Sequence, residues 1–171
     1  MGAGKTRVGH ALAVLLRWSF VDLDREIEIR QGATIQNVFR LQGESRFREI
    51  ETETLRQTLE QLSAPTVIAL GGGTFVQSVN VDLLRNSGAC VVFLETPMER
   101  MLDRCVEGVP SSEENLRPLA ADPDAFRALY SQRLPQYRAA DLTVSTANPT
   151  AEENAREIVS KLRLGAAALG D

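Results

Sequence analysis

Met1-Gly2-Ala3-Gly4-Lys5-Thr6 opens the chain, and the rest is best interpreted from it. Gly4, Lys5 and Thr6 fill the last three places of the phosphate-binding pattern G-x-x-x-x-G-K-[ST], which joins a buried strand to a helix. In such a loop, backbone N–H groups, here those of Gly2, Ala3 and Gly4, wrap phosphate oxygens, and the helix N-terminus adds a favourable dipole. The Lys reaches the β/γ-phosphates and the hydroxyl meets Mg²⁺. The pattern's first Gly and its feeding strand would fall before Met1, so either the protein starts here with a cut motif or its start lies further upstream, and both readings stay open. Taken alone, the same six residues also suit a Gly-rich helix start with a solvated Lys5.

Outward from this stretch the chain alternates. Val8, Ala11, Leu12, Leu15 and Leu16 form one apolar stripe, predicting a helix over 4–17. A short strand over 19–22 follows, then a helix over 24–30 that Gly32 closes in a left-handed cap. Thr34 caps a further short helix, Gly43 breaks it, and 44–62 reads as a long charged helix. The β-branched run 66–70 is a strand that ends directly in Gly71-Gly72-Gly73. A helix over 81–86 leads to 89–94, an uninterrupted apolar run of the kind a parallel strand covered on both faces requires. Helices from Pro97 to about 106 and from Asp122 to Tyr137 flank a polar loop over 107–116. A strand over 142–145 and a helix over 151–162, capped by Thr150, complete the chain. The fold class is therefore α/β with a mostly parallel sheet; four strands lie within the chain, and a strand upstream of Met1 would make five.

Composition narrows the function classes. The 171 residues are 43% hydrophobic and 25% charged, enough for one ordinary domain. A net charge of -4 advertises no nucleic-acid partner. Two cysteines, Cys90 and Cys105, make neither a disulfide framework nor a four-ligand metal site. With no signal peptide or long apolar run in view, the expectation is a cytoplasmic protein without membrane contact.

The candidate chemistry sits at strand ends. Asp22 and Asp24 follow the first strand at the rim where open α/β sheets bind ligands; one suits a metal and the other a hydroxyl, although Asp24 could instead cap the next helix. Arg48 and Glu51 share a helix face with Phe47 and Leu55; an ordinary intrahelical ion pair worth ~0.2–0.5 kcal/mol is the plain alternative. Three consecutive glycines after a strand suit close backbone approach to a ligand, or a flexible turn. Arg117 ends the polar loop, as a phosphate-contacting lid residue would, or as a surface Arg before Pro118. Arg133 lies along the apolar face of Phe126, Leu129, Tyr130, Leu134 and Tyr137, where an Arg snorkels or meets an anion; the anion is favoured. His10, the single histidine, could serve as a base but reads as a half-exposed helical residue.

Together, Gly4-Lys5-Thr6, Asp22-x-Asp24, Gly43-Glu44-x-x-Phe47-Arg48-x-x-Glu51, Gly71-Gly72-Gly73, Arg117-Pro118-Leu119 and Arg133-x-Pro135-x-Tyr137 resemble the shikimate kinase family. The resemblance spans nearly the whole chain. It implies a single three-layer α/β/α domain over 1–171, nucleoside-monophosphate-kinase-like, with parallel strand order 2-3-1-4-5 and strand 1 absent from this chain. A substrate-binding segment covers 24–62 and a lid covers 107–118. It implies ATP-dependent phosphorylation of the 3-hydroxyl of shikimate, in the route to chorismate and the aromatic amino acids, by a monomer that uses Mg²⁺.

Carried over by position, Lys5 and Arg117 meet ATP phosphates, with Gly2, Ala3, Gly4 and Thr6 completing the nucleotide site. Thr6 and Asp22 hold Mg²⁺. Asp24 faces the shikimate hydroxyls as the proton acceptor or orienter. Arg48 and Arg133 clamp the shikimate carboxylate, Glu51 positions Arg48 and is a substrate-binding residue that can touch a ring hydroxyl, and the Gly71, Gly72 and Gly73 backbone approaches the substrate. One departure is the lid. The family's lid often carries a second Arg ahead of the position of Arg117, whereas 110–116 here has two Glu and no basic residue. A related kinase of the gluconate kinase type, and a non-catalytic kinase-like binding protein, are the alternative readings.

Overall fold

A computed structural model of the chain describes residues 2–107, 122–146 and 150–164. Its elements are α1 (Lys5–Leu16), β1 (Ser19–Asp22), α2 (Leu23–Gln31), α3 (Ile35–Glu60), β2 (Thr66–Ala69), α4 (Ser78–Asn86), β3 (Val92–Glu95), α5 (Met98–Glu107), α6 (Pro123–Tyr137), β4 (Leu142–Ser145) and α7 (Ala151–Leu162). The expected lid beyond Glu107, with Arg117, lies outside the described residues, as do Met1 and the segment 165–171.

The strands form two parallel pairs. β1 pairs with β2 in the register Phe20↔Val67 and Asp22↔Ala69, and β3 pairs with β4 in the register Val92↔Leu142 and Glu95↔Ser145. These are the outer pairs, 2-3 and 4-5, of the expected order 2-3-1-4-5. Because both pairs are parallel, their carboxyl ends lie on common edges. Asp22 ends β1 and Gly71 follows just beyond β2.

Helices cover both faces, as alternation along each strand requires. Val8, Leu12 and Leu16 of α1 join Ala155 and Ile158 of α7, Leu94 of β3 and Val144 of β4 in one buried cluster, against which Val67, Val92 and Leu142 also pack. On the other face of β3, Phe93 stacks on Tyr137 of α6 with ring centroids 5.4 Å apart. α1 lies close on the first pair: a Cβ on Gly9 would meet the Phe20 ring at 2.9 Å. A second core joins Leu23 and Ile27 of α2, Val38, Phe47, Ile50 and Leu55 of α3, and Leu84 of α4.

Element ends follow local chemistry. Asp22, not Asp24, caps α2: its Oδ1 accepts from the Asp24 and Arg25 N–H groups. An acceptor one residue before the helix reaches the orphan N–H groups of the first turn, which Asp24, already inside the helix, does not. Gly32 closes α2 at φ 59°, and Thr34 caps α3. Gly43 breaks the helical backbone of α3 as expected: at φ 77° and ψ 171° it separates two helices that meet end to end at a kink. α4 begins at Ser78, three residues earlier than the apolar pattern indicates.

The expected strand over 89–94 shifts to Val92–Glu95. Gly88 takes φ 71° and the Ala89 N–H returns to the Leu84 carbonyl, so residue 89 completes the end of α4. The Val91 N–H then donates to the Asp141 side chain rather than to a strand. α7 opens with a complete capping box between Thr150 and Glu153.

Candidate active site

The phosphate-loop residues stand at the N-terminus of α1. Gly4 is the N-cap at φ 79°, and no side chain caps the helix and no acid lies in its first turn, which leaves a local positive potential. Gly2 also has φ 69°, and a Cβ there would come within 2.6 Å of the Met101 carbonyl oxygen, so the loop rests on the α5 backbone. Ala3 packs against the small cluster of Met101 and Phe126. Below it, Thr96 at the end of β3 shares a 2.7 Å hydrogen bond with Thr146 and donates at 3.5 Å to the Ala3 carbonyl. Lys5 is the first residue of α1 and is partly exposed.

Thr6 and Asp22 meet. The Thr6 hydroxyl donates to Asp22 Oδ2 at 2.6 Å, while Asp22 Oδ1 caps α2. One carboxylate thus joins the start of α1 to the start of α2. Among the described residues, no group of three or more His, Cys, Asp or Glu forms a metal cluster. A hydroxyl and a carboxylate oxygen side by side are nevertheless the hard donors that suit Mg²⁺, which keeps several waters and takes one or two protein ligands.

Asp24, exposed in the first turn of α2, leads to a second group of residues. A Cβ on Gly71 would lie 2.9 Å from Asp24 Oδ1, 3.0 Å from Glu51 Oε1 and 3.0 Å from Thr74 Oγ1. Only a glycine lets the backbone pass between these oxygens. Glu51 is 1% exposed and its carboxylate accepts from three donors: Arg48 Nη1 at 2.8 Å, Thr74 Oγ1 at 2.6 Å and Gln77 Nε2 at 2.8 Å. Arg48 is half-buried over Gly73, whose Cβ, if present, would fall 2.6 Å from its Cζ. The guanidinium lies 5.2 Å from the Phe47 ring centroid and 5.8 Å from that of Phe39, and its Nη2 donates to the exposed Glu44 at 3.1 Å. Burial works against the charge on Arg48, but hydrogen bonds and charge from Glu51, then Glu44, outweigh it and hold its pKa above the ordinary arginine value.

α6 reaches the same loop from another direction. Arg133 Nη1 donates to the Gly72 carbonyl at 3.4 Å, and the Tyr137 hydroxyl donates to that same oxygen. The structure therefore gathers Asp24, Arg48, Glu51, Gly71, Gly72, Gly73 and Arg133 around one turn, and pairs Thr6 with Asp22. Arg117 is the one candidate it does not describe. Sequence reasoning missed Thr74, Gln77 and the Thr96–Thr146 pair. The position of Thr74 directly after three glycines was the available signal for the first; Gln77 and the threonine pair had none.

A parallel α/β fold with a Gly-Lys-Thr helix start and a second polar cluster beyond neighbouring strand ends defines a phosphate-loop kinase of small molecules. The family model described as shikimate kinase matches residues 1–163. The shikimate kinase of Persephonella marina is 34% identical over 164 residues, covering 95% of this chain and 94% of its own. A solved shikimate kinase of Acinetobacter baumannii in complex with shikimate superposes with a TM-score of 0.84 at 36% identity, covering 98% of this chain and 90% of its own. That of Aquifex aeolicus superposes at 0.80 with 31% identity, covering 98% and 95%. This chain belongs to the shikimate kinase family. Its reaction is the ATP-dependent phosphorylation of the 3-hydroxyl of shikimate, in the biosynthesis of chorismate and the aromatic amino acids.

Proposed function

We propose that the residues gathered here divide the shikimate kinase reaction between a nucleotide half and a substrate half that meet at Asp22 and Asp24. In the nucleotide half, the backbone of Gly2, Ala3 and Gly4 and the side chain of Lys5 hold the ATP phosphates. Arg117 reaches them from a lid over 107–118. Thr6 and Asp22 would hold Mg²⁺, and their contact at 2.6 Å supports that assignment. When bound, the ion neutralises charge on the phosphate oxygens.

In the substrate half, drawn from 24–62 together with the Gly71-Gly73 turn and α6, Arg48 and Arg133 clamp the shikimate carboxylate. A guanidinium matches a carboxylate with two parallel donors, which a lysine cannot do. Glu51 holds Arg48, and Asp24 stands at the 3-hydroxyl. The hydroxyl oxygen attacks the γ-phosphorus, the bond to the ADP oxygen breaks, and the hydroxyl proton passes to Asp24. Little covalent work falls to the protein: positioning and charge supply the acceleration.

The observation that carries this reading is the convergence of Arg48 and Arg133, from helices far apart in sequence, on Gly73 and Gly72 of one turn. The proposal also takes residues 1–171 as a single domain and the protein as a cytoplasmic monomer without nucleic-acid or membrane partners; this part rests on the resemblance and on a composition with two thiols. No helix among the described residues is long and apolar enough to cross a membrane.

Incubation with ATP and either shikimate or gluconate tests the substrate assignment. Phosphorus NMR of the product should show a 3-phosphate ester of shikimate and leave gluconate unchanged. Phosphorylation of gluconate, or of a different shikimate hydroxyl, would contradict it.

A further inference from the structure

Glu51 is the most deeply buried charged group of the site, and Arg48 alone does not account for its surroundings. A carboxylate taken out of water needs its lone pairs occupied, or it loses its charge or its orientation. Two neutral side chains meet that need. The Thr74 hydroxyl donates to Oε1, and the Gln77 amide donates to Oε2, the same oxygen that receives Arg48. Thr74 is itself fixed: it is fully buried, its carbonyl accepts from the buried Asn80 side chain at 3.0 Å, and its N–H returns to the Gly71 carbonyl at 3.2 Å. Gln77 is fixed as the residue that starts α4.

We propose that Thr74 and Gln77 are positioning residues for shikimate binding, acting through the Glu51 carboxylate to set where Arg48 points. The inference rests on the assignment of Arg48 to the substrate carboxylate. Three donors arriving from two directions fix the plane of the Glu51 carboxylate, and with it the position of Oε2. That oxygen draws Nη1 of Arg48 inward over Gly73, leaving Nη2 directed at the exposed Glu44. The Arg48 side chain keeps 22% of its surface exposed, and a ligand carboxylate would meet it there in exchange for the exposed Glu44. Neither Thr74 nor Gln77 touches the substrate in this arrangement. Glu51, buried and occupied by protein donors, serves the site through Arg48.

Steady-state kinetics on Thr74→Val, Thr74→Ser, Gln77→Leu, Arg48→Ala and the double variant Thr74→Val/Arg48→Ala test this. Thr74→Val and Gln77→Leu should each raise KM for shikimate about fivefold to tenfold, leaving kcat and KM for ATP within about twofold. Thr74→Ser, which keeps the hydroxyl, should restore the parent value. In the Arg48→Ala background, Thr74→Val should add less than about twofold, because the residue it positions is gone.

Equal changes in both KM values, or the full Thr74→Val effect persisting without Arg48, would overturn the proposal. If Arg48→Ala raises shikimate KM while Thr74→Val and Gln77→Leu do not, the inference fails alone. If Arg48→Ala leaves shikimate KM unchanged, the carboxylate clamp fails with it. Gln77 is only partly buried, so Gln77→Leu supplies the same test should Thr74→Val not fold.

Discussion

Gly73 shows how one missing side chain shapes the site. The space a Cβ would occupy is filled by the Arg48 guanidinium, the far end of a long flexible side chain. Gly73→Ala should therefore push Arg48 aside rather than strain the fold. Thermal melts should register a loss of about 1–3 kcal/mol, because a displaced Arg48 takes one donor from the buried Glu51 carboxylate. Shikimate KM should rise about tenfold, the scale of removing one charge-assisted hydrogen bond. A large stability loss with unchanged KM would show that the glycine serves only packing.

Asp22 divides its two oxygens between two tasks, Oδ1 capping α2 and Oδ2 meeting Thr6. Asp22→Asn keeps a capping acceptor but removes the charge. It should melt near the parent temperature while kcat falls about 10–100-fold, the range seen when a metal's supporting ligands are altered. Asp22→Ala should add a loss of about 1 kcal/mol from the cap.

Among single residues, the sequence was informative where spacing alone brings groups together. Arg48 and Glu51 stand one helical turn apart, and both readings of that pair hold: it is an intrahelical ion pair, and its acid is buried. Thr74 and Gln77 reach Glu51 across 23 and 26 residues, and nothing local marks a hydrogen bond that only the packing of α3 against the turn after β2 creates.

Among the elements, α3 is the one whose shape matters most. Gly43 was legible as an interruption, because glycine adopts positive φ without penalty. It does what that reading expects: at φ 77° and ψ 171° the backbone leaves the helical region, ending one helix where the next begins across a kink. The bend lies between Phe39 and Phe47, whose rings stack at 4.2 Å and flank Arg48. Nothing lies within 4 Å of a Cβ at Gly43, so its replacement meets no clash and the penalty is backbone strain alone. Gly43→Ala should lose about 1–3 kcal/mol in chemical denaturation. A neutral result would mean that the kink is not needed.

Strand boundaries were read less well, and β3 shows why. Apolar content placed its start at residue 89, but hydrogen bonds decide where a strand begins. The N–H groups of 89 and 91 are taken by the end of α4 and by Asp141, and only the Val91 carbonyl reaches β4, accepting from the Leu142 N–H.

For the molecule as a whole, alternation of strands and helices gave the α/β class, but hydropathy carries no strand order. The order came from the resemblance, and the two parallel pairs agree with it. Parallel pairing gathers strand ends, so residues scattered from Thr6 to Arg133 come together just beyond the carboxyl ends of β1 and β2. Arg133 depends on this arrangement more than any other site residue: α6 must be held against β3 by Tyr137 and Phe93 before Arg133 can reach Gly72. The proposed substrate half stands or falls with its hold on the shikimate carboxylate.

The direct test is calorimetric titration of shikimate and of ATP into the parent protein and Arg133→Ala. Shikimate affinity should be about 10–100-fold weaker in the variant, with ATP affinity within about twofold of the parent. Equal weakening of both ligands, or undiminished shikimate binding, would contradict the clamp.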